Sequence, residues 1–199
     1  QNQGYRHIAG VDEVGRGCLA GPVFAAAVVL PTDVVLSGVD DSKKLSPRQR
    51  ATLFEKITAV AIAWSVASVT AEEIDQINIH QASLKAMALA VEPLCPDYVL
   101  IDGRFKLPIA FARIGLARTG FPRTGFPQKP IIKGDASCYS IAAASIVAKV
   151  TRDRWISEEG KKFPHYHFER HKGYGTELHR EAIRKYGLTP LHRRSFRLA

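Results

Sequence analysis

An α/β fold, one open sheet with helices in its connections, is what these 199 residues predict, and three features predict it. Short apolar runs of strand length recur along the chain: Ile8 to Val14, Pro22 to Leu30, Val60 to Thr70, Tyr98 to Ile101 and Pro130 to Ile132. Helix-start signals lie between them, and acidic residues close some of the runs, where open α/β sheets place their ligands. The length suits one domain with a sizeable core. With 46% hydrophobic and 24% charged residues, the composition is that of a soluble globular chain and excludes wholesale disorder.

In the first run two acids, Asp12 and Glu13, stand where β-propensity and burial both disfavour them. On a regular strand Asp12 shares a face with Ile8 and Gly10, and Glu13 shares the other with Ala9 and Val11. They meet a common ligand only if the backbone bends just beyond them, which Gly15 and Gly17 permit around Arg16; otherwise they are an acidic strand end in water. After the second run, Ser46-Pro47-Arg48-Gln49 combines a capping-box spacing with Pro at the first helical position, so a helix follows with Leu53, Phe54 and Ile57 inside. Lys43 and Lys44, just ahead of its N-terminus, suit either a phosphate cradle or a solvated turn.

Thr70-Ala71-Glu72-Glu73 starts a second helix, and Asn78 caps a third carrying Leu84, Met87 and Val91 at core spacing until Pro93 and Pro96. The wholly apolar Tyr98 to Ile101 reads as a strand covered on both faces and stops at Asp102-Gly103, a ligand position or a simple turn. Arg-Thr-Gly-Phe-Pro then occurs twice in tandem, at 118–122 and 123–127, as a duplicated loop without assigned chemistry. Asp135 follows the last strand as either a functional acid or the N-cap of a long helix from about Ser137 to Ser157.

Charge is the unusual quantity. The chain carries +9 with a pI near 9.6, which points to a polyanionic partner. From Thr151 onward twelve Lys and Arg face six Asp and Glu, with five of the seven histidines and interleaved aromatics Tyr166, Phe168, Tyr174, Tyr186 and Phe196. That mixture suits a surface touching phosphates and sugars. His165, His167 and His171 lack a cysteine partner or an HExxH pattern, so exposed loop histidines are expected rather than a zinc site. Cys18, Cys95 and Cys138 are widely spaced and odd in number, which fits a reducing cytoplasm. No apolar run is long enough to cross a membrane, the first residues lack a signal-peptide pattern, and the missing initiator Met suggests trimming or processing. Nothing indicates an oligomer, and a monomer is the default.

Asp12, Glu13, Asp102 and Asp135 all stand at expected strand ends or a helix start, so strand-helix units can bring them to one edge of a sheet. Two bare carboxylates about 4 Å apart repel by roughly 4 kcal/mol at an effective dielectric near 20, so cations must hold such a cluster. Oxygen ligands without His or Cys select Mg²⁺ or Mn²⁺ over zinc. Acids holding metal in a basic protein suggest two-metal phosphodiester hydrolysis, and the spacing reaches a metal-dependent nuclease and no further. A non-catalytic nucleic-acid-binding module leaves the acids unexplained, and a junction resolvase has no need of the Gly-Arg-Gly loop.

Several blocks together resemble the bacterial ribonuclease HII family over nearly the whole chain and in the family's order. They are Asp12-Glu13-Val14-Gly15-Arg16-Gly17, Asp41-Ser42-Lys43-Lys44-Leu45, Ile101-Asp102-Gly103, Lys133-Gly134-Asp135, Ala144 through Asp153, His171 through Thr176, and His192-Arg193-Arg194-Ser195-Phe196. The resemblance implies a ribonuclease H-like mixed five-stranded sheet flanked by helices, with residues 1–150 as catalytic core and 151–199 as a basic helical extension packed on it. It implies cleavage of the RNA strand of RNA–DNA hybrids and of DNA duplexes 5′ of single ribonucleotides, leaving 3′-hydroxyl and 5′-phosphate ends. Asp12, Glu13 and Asp102 then bind Mg²⁺ or Mn²⁺, with Asp135 completing the site. Gly15, Arg16, Gly17 and Tyr174 correspond to the reader of the RNA–DNA junction, and Arg16 favours type II over the related type III enzymes, which lack it. Lys43, Lys44, Arg193 and Arg194 are expected phosphate contacts. Two departures stand out: Cys18 where the family usually has Pro, and the doubled loop after Asp102.

Overall fold

In a computed structural model, residues 4–39, 42–108 and 126–197 are described; Asp40, Asp41 and most of the tandem repeat, 118–125, lie outside them. Five strands form one mixed sheet in the order β3-β2-β1-β4-β5. Strand β1 (Ile8–Val14) lies at its centre. It runs antiparallel to β2 (Val23–Val29), which pairs antiparallel with β3 (Ala63–Val69). On its other side β1 runs parallel to β4 (Tyr98–Asp102), itself parallel to β5 (Gln128–Ile131). The expected five-stranded mixed sheet is therefore present.

Helix α1 (Pro47–Val60) begins with the capping box foreseen at Ser46 and Gln49, and it runs to Val60, so β3 starts three residues later than its apolar pattern suggests. Helix α2 (Ala71–Val91) is interrupted at Asn78, whose φ of 66° breaks the spiral while its Oδ1 accepts from the His80 and Gln81 amides. Asn78 is thus the cap of a separate helical segment, as its residue type predicts. A one-turn α3 (Gly134–Ser137) precedes α4 (Tyr139–Gly160), with Cys138 extended between them.

Two cores cover the sheet. One face packs Val11, Ala25, Ala27, Val99 and Ile101 against α2; the other packs Ala26 and Val28 against α1 and α4. Helix α4 lies almost on β1: a Cβ on Gly10 would stand 2.2 Å from the Ser140 carbonyl carbon, so only glycine admits the helix this close. The small residues Ala142, Ala143 and Ala144 serve the same approach.

Helix α4 runs unbroken through residue 150, so the expected division at 150/151 falls inside one helix. The last residues add α5 (Phe168–His171) and α6 (Glu177–Tyr186). Their core of Ile156, Tyr166, Phe168, Ala182 and Ile183 closes over Leu19 and Ala20, which follow the glycine loop. The C-terminal unit is thus built onto the loop beside the acids. Among the described residues, no helix is long and apolar enough to cross a membrane.

Candidate metal centre

Register explains how the acids meet. The β1–β4 ladder ends at Val11↔Ile101, so Asp12 and Asp102 occupy the next positions, on the α4 face, where the two strands part. Glu13 belongs to the α2 face, as alternation requires, and its longer side chain reaches the same place at the sheet's end. One carboxylate oxygen from each of Asp12, Glu13 and Asp102 lies within 4.8 Å of the others. The bend comes at Gly15, whose φ is +92° and whose added Cβ would lie 2.2 Å from Arg152 Nε. No L side chain fits there.

Each acid is held. Asp12, 5% exposed, accepts from the Glu13 amide at 2.7 Å and is hydrogen-bonded by Ser145. Ser145 in turn meets Ser42 Oγ at 2.7 Å. Asp102 Oδ1 accepts from the Gly134 and Asp135 amides at 2.7 and 3.3 Å at the start of α3, and Asp135 lies inside that turn and is not the N-cap of the long helix, a position taken by Cys138. Burial raises all three acids from their ordinary values, Asp12 well above. For Asp12 the charges of Glu13 and Asp102 push further the same way, and for Asp102 the charge of Asp135 does. Arg16 opposes the shift of Glu13 through a 3.1 Å contact to Oε1. A group of oxygens whose charges repel in a half-dry site fits a hard divalent cation, and the set has no nitrogen or sulfur to favour zinc.

Asp135 stands one step away. Its carboxylate takes Lys43 Nζ at 2.9 Å, and it does not join the close triad. Gly17 and Arg16 form the outer turn of the loop, with Arg16 about half exposed. Tyr174 pairs with Cys18 as an isolated antiparallel bridge, which brings the tyrosine against the glycine loop. The residue is 38% exposed, and Lys149 Nζ lies 5.4 Å from its ring centroid. Lys43, Lys44 and Arg194 are exposed.

Two expectations are overturned. Arg193 is fully buried and no phosphate contact: its Nε donates to the Gly21 carbonyl and its Nη1 to that of Arg16, both at 2.9 Å. His171 is not an exposed loop histidine but buried, stacked on His179 with centroids 4.3 Å apart; His165 and His167 are exposed as expected. The basic tail is also less free than its count suggests, since Lys161, Lys162 and Arg184 pair with Glu158, Glu159 and Glu177.

Residue patterns had not singled out Ser145 or Arg152. Ser145 looks like one more small residue of α4. Arg152, fully buried, sends three donors to the carbonyls of Pro22, Lys172 and Ala20 and lies under Gly15. Taking a guanidinium out of water costs several kcal/mol, and loop carbonyls offset it, so these loops are rigidly framed from behind. Beside the acids a cleft of about 230 Å³ opens toward α2, lined by Glu13, Arg16, His80, Met87, Asp102 and Phe105 among others.

Comparison with known proteins finds one family in sequence and in fold. The model of the ribonuclease HII family matches residues 9–199. Ribonuclease HII of Caldicellulosiruptor bescii is 53% identical over 197 residues, covering 98% of this chain and 88% of that protein. That of Geobacillus kaustophilus is 51% identical over 195 residues, covering 97% and 69%. The crystal structure of ribonuclease H2 from Pyrococcus horikoshii superposes with a TM-score of 0.75 at 30% identity, over 96% of this chain and 94% of that one.

Proposed function

The chain belongs to the ribonuclease HII family and is a ribonuclease, and we propose that it hydrolyses the RNA strand of RNA–DNA hybrids and cuts DNA duplexes 5′ of single embedded ribonucleotides. The observation that carries this reading is the triad of carboxylate oxygens within 4.8 Å, set against a glycine-arginine loop. Asp12, Glu13 and Asp102 hold Mg²⁺ or Mn²⁺, with Asp135 at the edge of the same site. When bound by these carboxylates, two such ions would supply an activated water at neutral pH and neutralise charge on the leaving 3′ oxygen, which would leave 3′-hydroxyl and 5′-phosphate ends.

The protein's own residues do the rest. Ser145 and the Glu13 amide orient the Asp12 carboxylate, and the α3 amides orient that of Asp102. The Gly15 bend lets backbone groups approach a ribose, whose 2′-hydroxyl distinguishes RNA from DNA. Tyr174, held against that loop, stacks on the following deoxyribose, where an added hydroxyl would crowd it. Lys43, Lys44 and Arg194 contact phosphates. The enzyme acts as a monomer in the reducing cytoplasm, where its free cysteines Cys18, Cys95 and Cys138 stay reduced.

Incubation with Mg²⁺ or Mn²⁺ and a DNA duplex containing one ribonucleotide tests the reading. A single metal-dependent cut 5′ of that nucleotide is expected; a resistant duplex, or equal cutting of all-DNA duplex, overturns it.

A further inference from the structure

Three buried imidazoles lie behind the Tyr174 loop, and nothing in the cleavage chemistry uses them. His171, His179 and His192 are 7%, 0% and 3% exposed. Their hydrogen bonds have only one consistent direction. The Thr189 amide can only donate, and it reaches His192 Nδ1 at 2.9 Å, so the proton of His192 sits on Nε2. That Nε2 lies 3.1 Å from His179 Nε2, which must therefore be bare. The proton of His179 is left on Nδ1, which donates at 2.9 Å to the Tyr174 carbonyl, an atom that can only accept. His171 completes the layer: its Nε2 donates to the Tyr166 carbonyl at 2.7 Å and its Nδ1 accepts from the Gly173 amide at 3.2 Å.

Two of the three rings thus end on the backbone of Gly173 and Tyr174. On the other side of that backbone, the Gly173 carbonyl accepts from the Leu19 and Ala20 amides at 2.8 and 3.3 Å. The loop carrying Tyr174 is fixed between the segment that follows the glycine loop, Leu19 and Ala20, and the imidazoles. We propose that His179 and His192 are positioning residues for Tyr174, a pair of neutral imidazoles each locked in one tautomer, whose chain of directed hydrogen bonds sets where the tyrosine ring meets the nucleic acid. The proposal rests on the junction-reading role of Tyr174 given above.

The surroundings favour neutral rings. Arg180 is beside His179, and Phe168 packs against the edges and faces of all three rings. Tyr166 covers His192. Glu169, His167 and Arg170 are the charged or titratable groups around His171. Burial pushes His179 and His192 down to about 4, so the chain is intact at neutral pH. A further proton on either ring would set two N–H groups head to head.

Imidazole ¹⁵N NMR of the unmodified protein decides first. His179 protonated on Nδ1 and His192 on Nε2 are expected; the opposite or averaged tautomers overturn the proposal. Variants then test the consequence. His179→Phe keeps the ring but deletes both bonds, whereas His179→Asn keeps an N–H for the Tyr174 carbonyl. His179→Phe should lose about tenfold in kcat/KM on the single-ribonucleotide duplex and less than about twofold on a long hybrid, with His179→Asn recovering most of the loss. Equal losses on both substrates, or no recovery, overturn it. Tyr174→Ala measured alongside separates the two claims. If it keeps the preference for single ribonucleotides, the junction-reading role fails and takes this proposal with it. If it loses the preference while His179→Phe keeps it, the positioning role alone fails. If His179→Phe does not fold, the tautomer assignment still decides.

Discussion

The acid triad and the histidine layer bury titratable groups on either side of the same glycine loop, and burial does opposite things to them. At the triad, burial and mutual repulsion raise Asp12, Glu13 and Asp102, and among the described residues only Glu13 has an ion-pair partner, Arg16. In the histidine layer, burial lowers His171, His179 and His192, and neutral rings satisfy one another and the backbone. Desolvation is common to both. The difference lies in what completes each cluster: a cation from outside for the carboxylates, and the fold itself for the imidazoles. Electrostatic strain marks the chemistry, and its absence marks the scaffold.

The sharpest break in that contrast is Asp12→Asn. Loss of one ligand oxygen should lower metal-dependent cleavage by roughly 10³-fold or more. Relief of repulsion should at the same time raise the Tm of the metal-free protein, measured by calorimetry. Retained turnover, or a lowered metal-free Tm, would show that the triad is not the strained metal site.

Next in size is Tyr174→Ala, which leaves the acids untouched. Its kcat/KM on a single embedded ribonucleotide should fall about tenfold further than on a long hybrid. An equal fall would remove the distinction between cutting and reading. Ser145→Ala tests whether orientation of a charged ligand matters as orientation does in the imidazole layer. A loss of about tenfold in activity is expected, with more Mg²⁺ needed for half-maximal rate and the fold unchanged by circular dichroism. A metal titration identical to that of the parent would count against the Ser42-Ser145-Asp12 chain.

The smallest effect concerns stability. Unfolded histidines titrate near 6.5 whereas folded His179 and His192 do so at about 4, so between these values the unfolded chain binds more protons. The contribution of these two rings to stability is therefore complete above about pH 6.5 and declines as pH falls toward 4. Urea midpoints at pH 7 and pH 5 should show the decline, and His179→Asn should flatten it. The raised carboxyls of the triad act in the opposite direction, so the measure is the difference between parent and variant: a His179→Asn protein with the parent's pH dependence would mean the rings are charged in the native state.

Much of this was readable in order along the chain. Capping at Ser46, Thr70 and Asn78, strand runs ending in Asp12-Glu13 and at Asp102, and the Gly15 bend are local signals, and each is where its residue types put it. Arg193 and His171 were misread because a count of positive and aromatic residues holds no information on which of them the fold encloses. Ser145 was missed because a serine in an alanine-rich helix has no periodic signature; only the approach of α4 to Gly10 brings it to Asp12.

By itself, then, the order of residues determined the main strands and the helix starts at Ser46, Thr70 and Asn78, the alternation that puts Asp12 and Glu13 on opposite faces, and the acid types that call for a hard cation. Backbone dihedrals and side-chain chemistry are properties of neighbours in sequence. Tertiary structure alone decided that the parting of β1 and β4 lets those two faces meet with Asp102, that Asp135 turns to Lys43, and that three histidines and two arginines become the neutral and charged framing of the loops. Those outcomes depend on contacts between residues far apart in the chain, where packing and desolvation, not local propensity, set the energy.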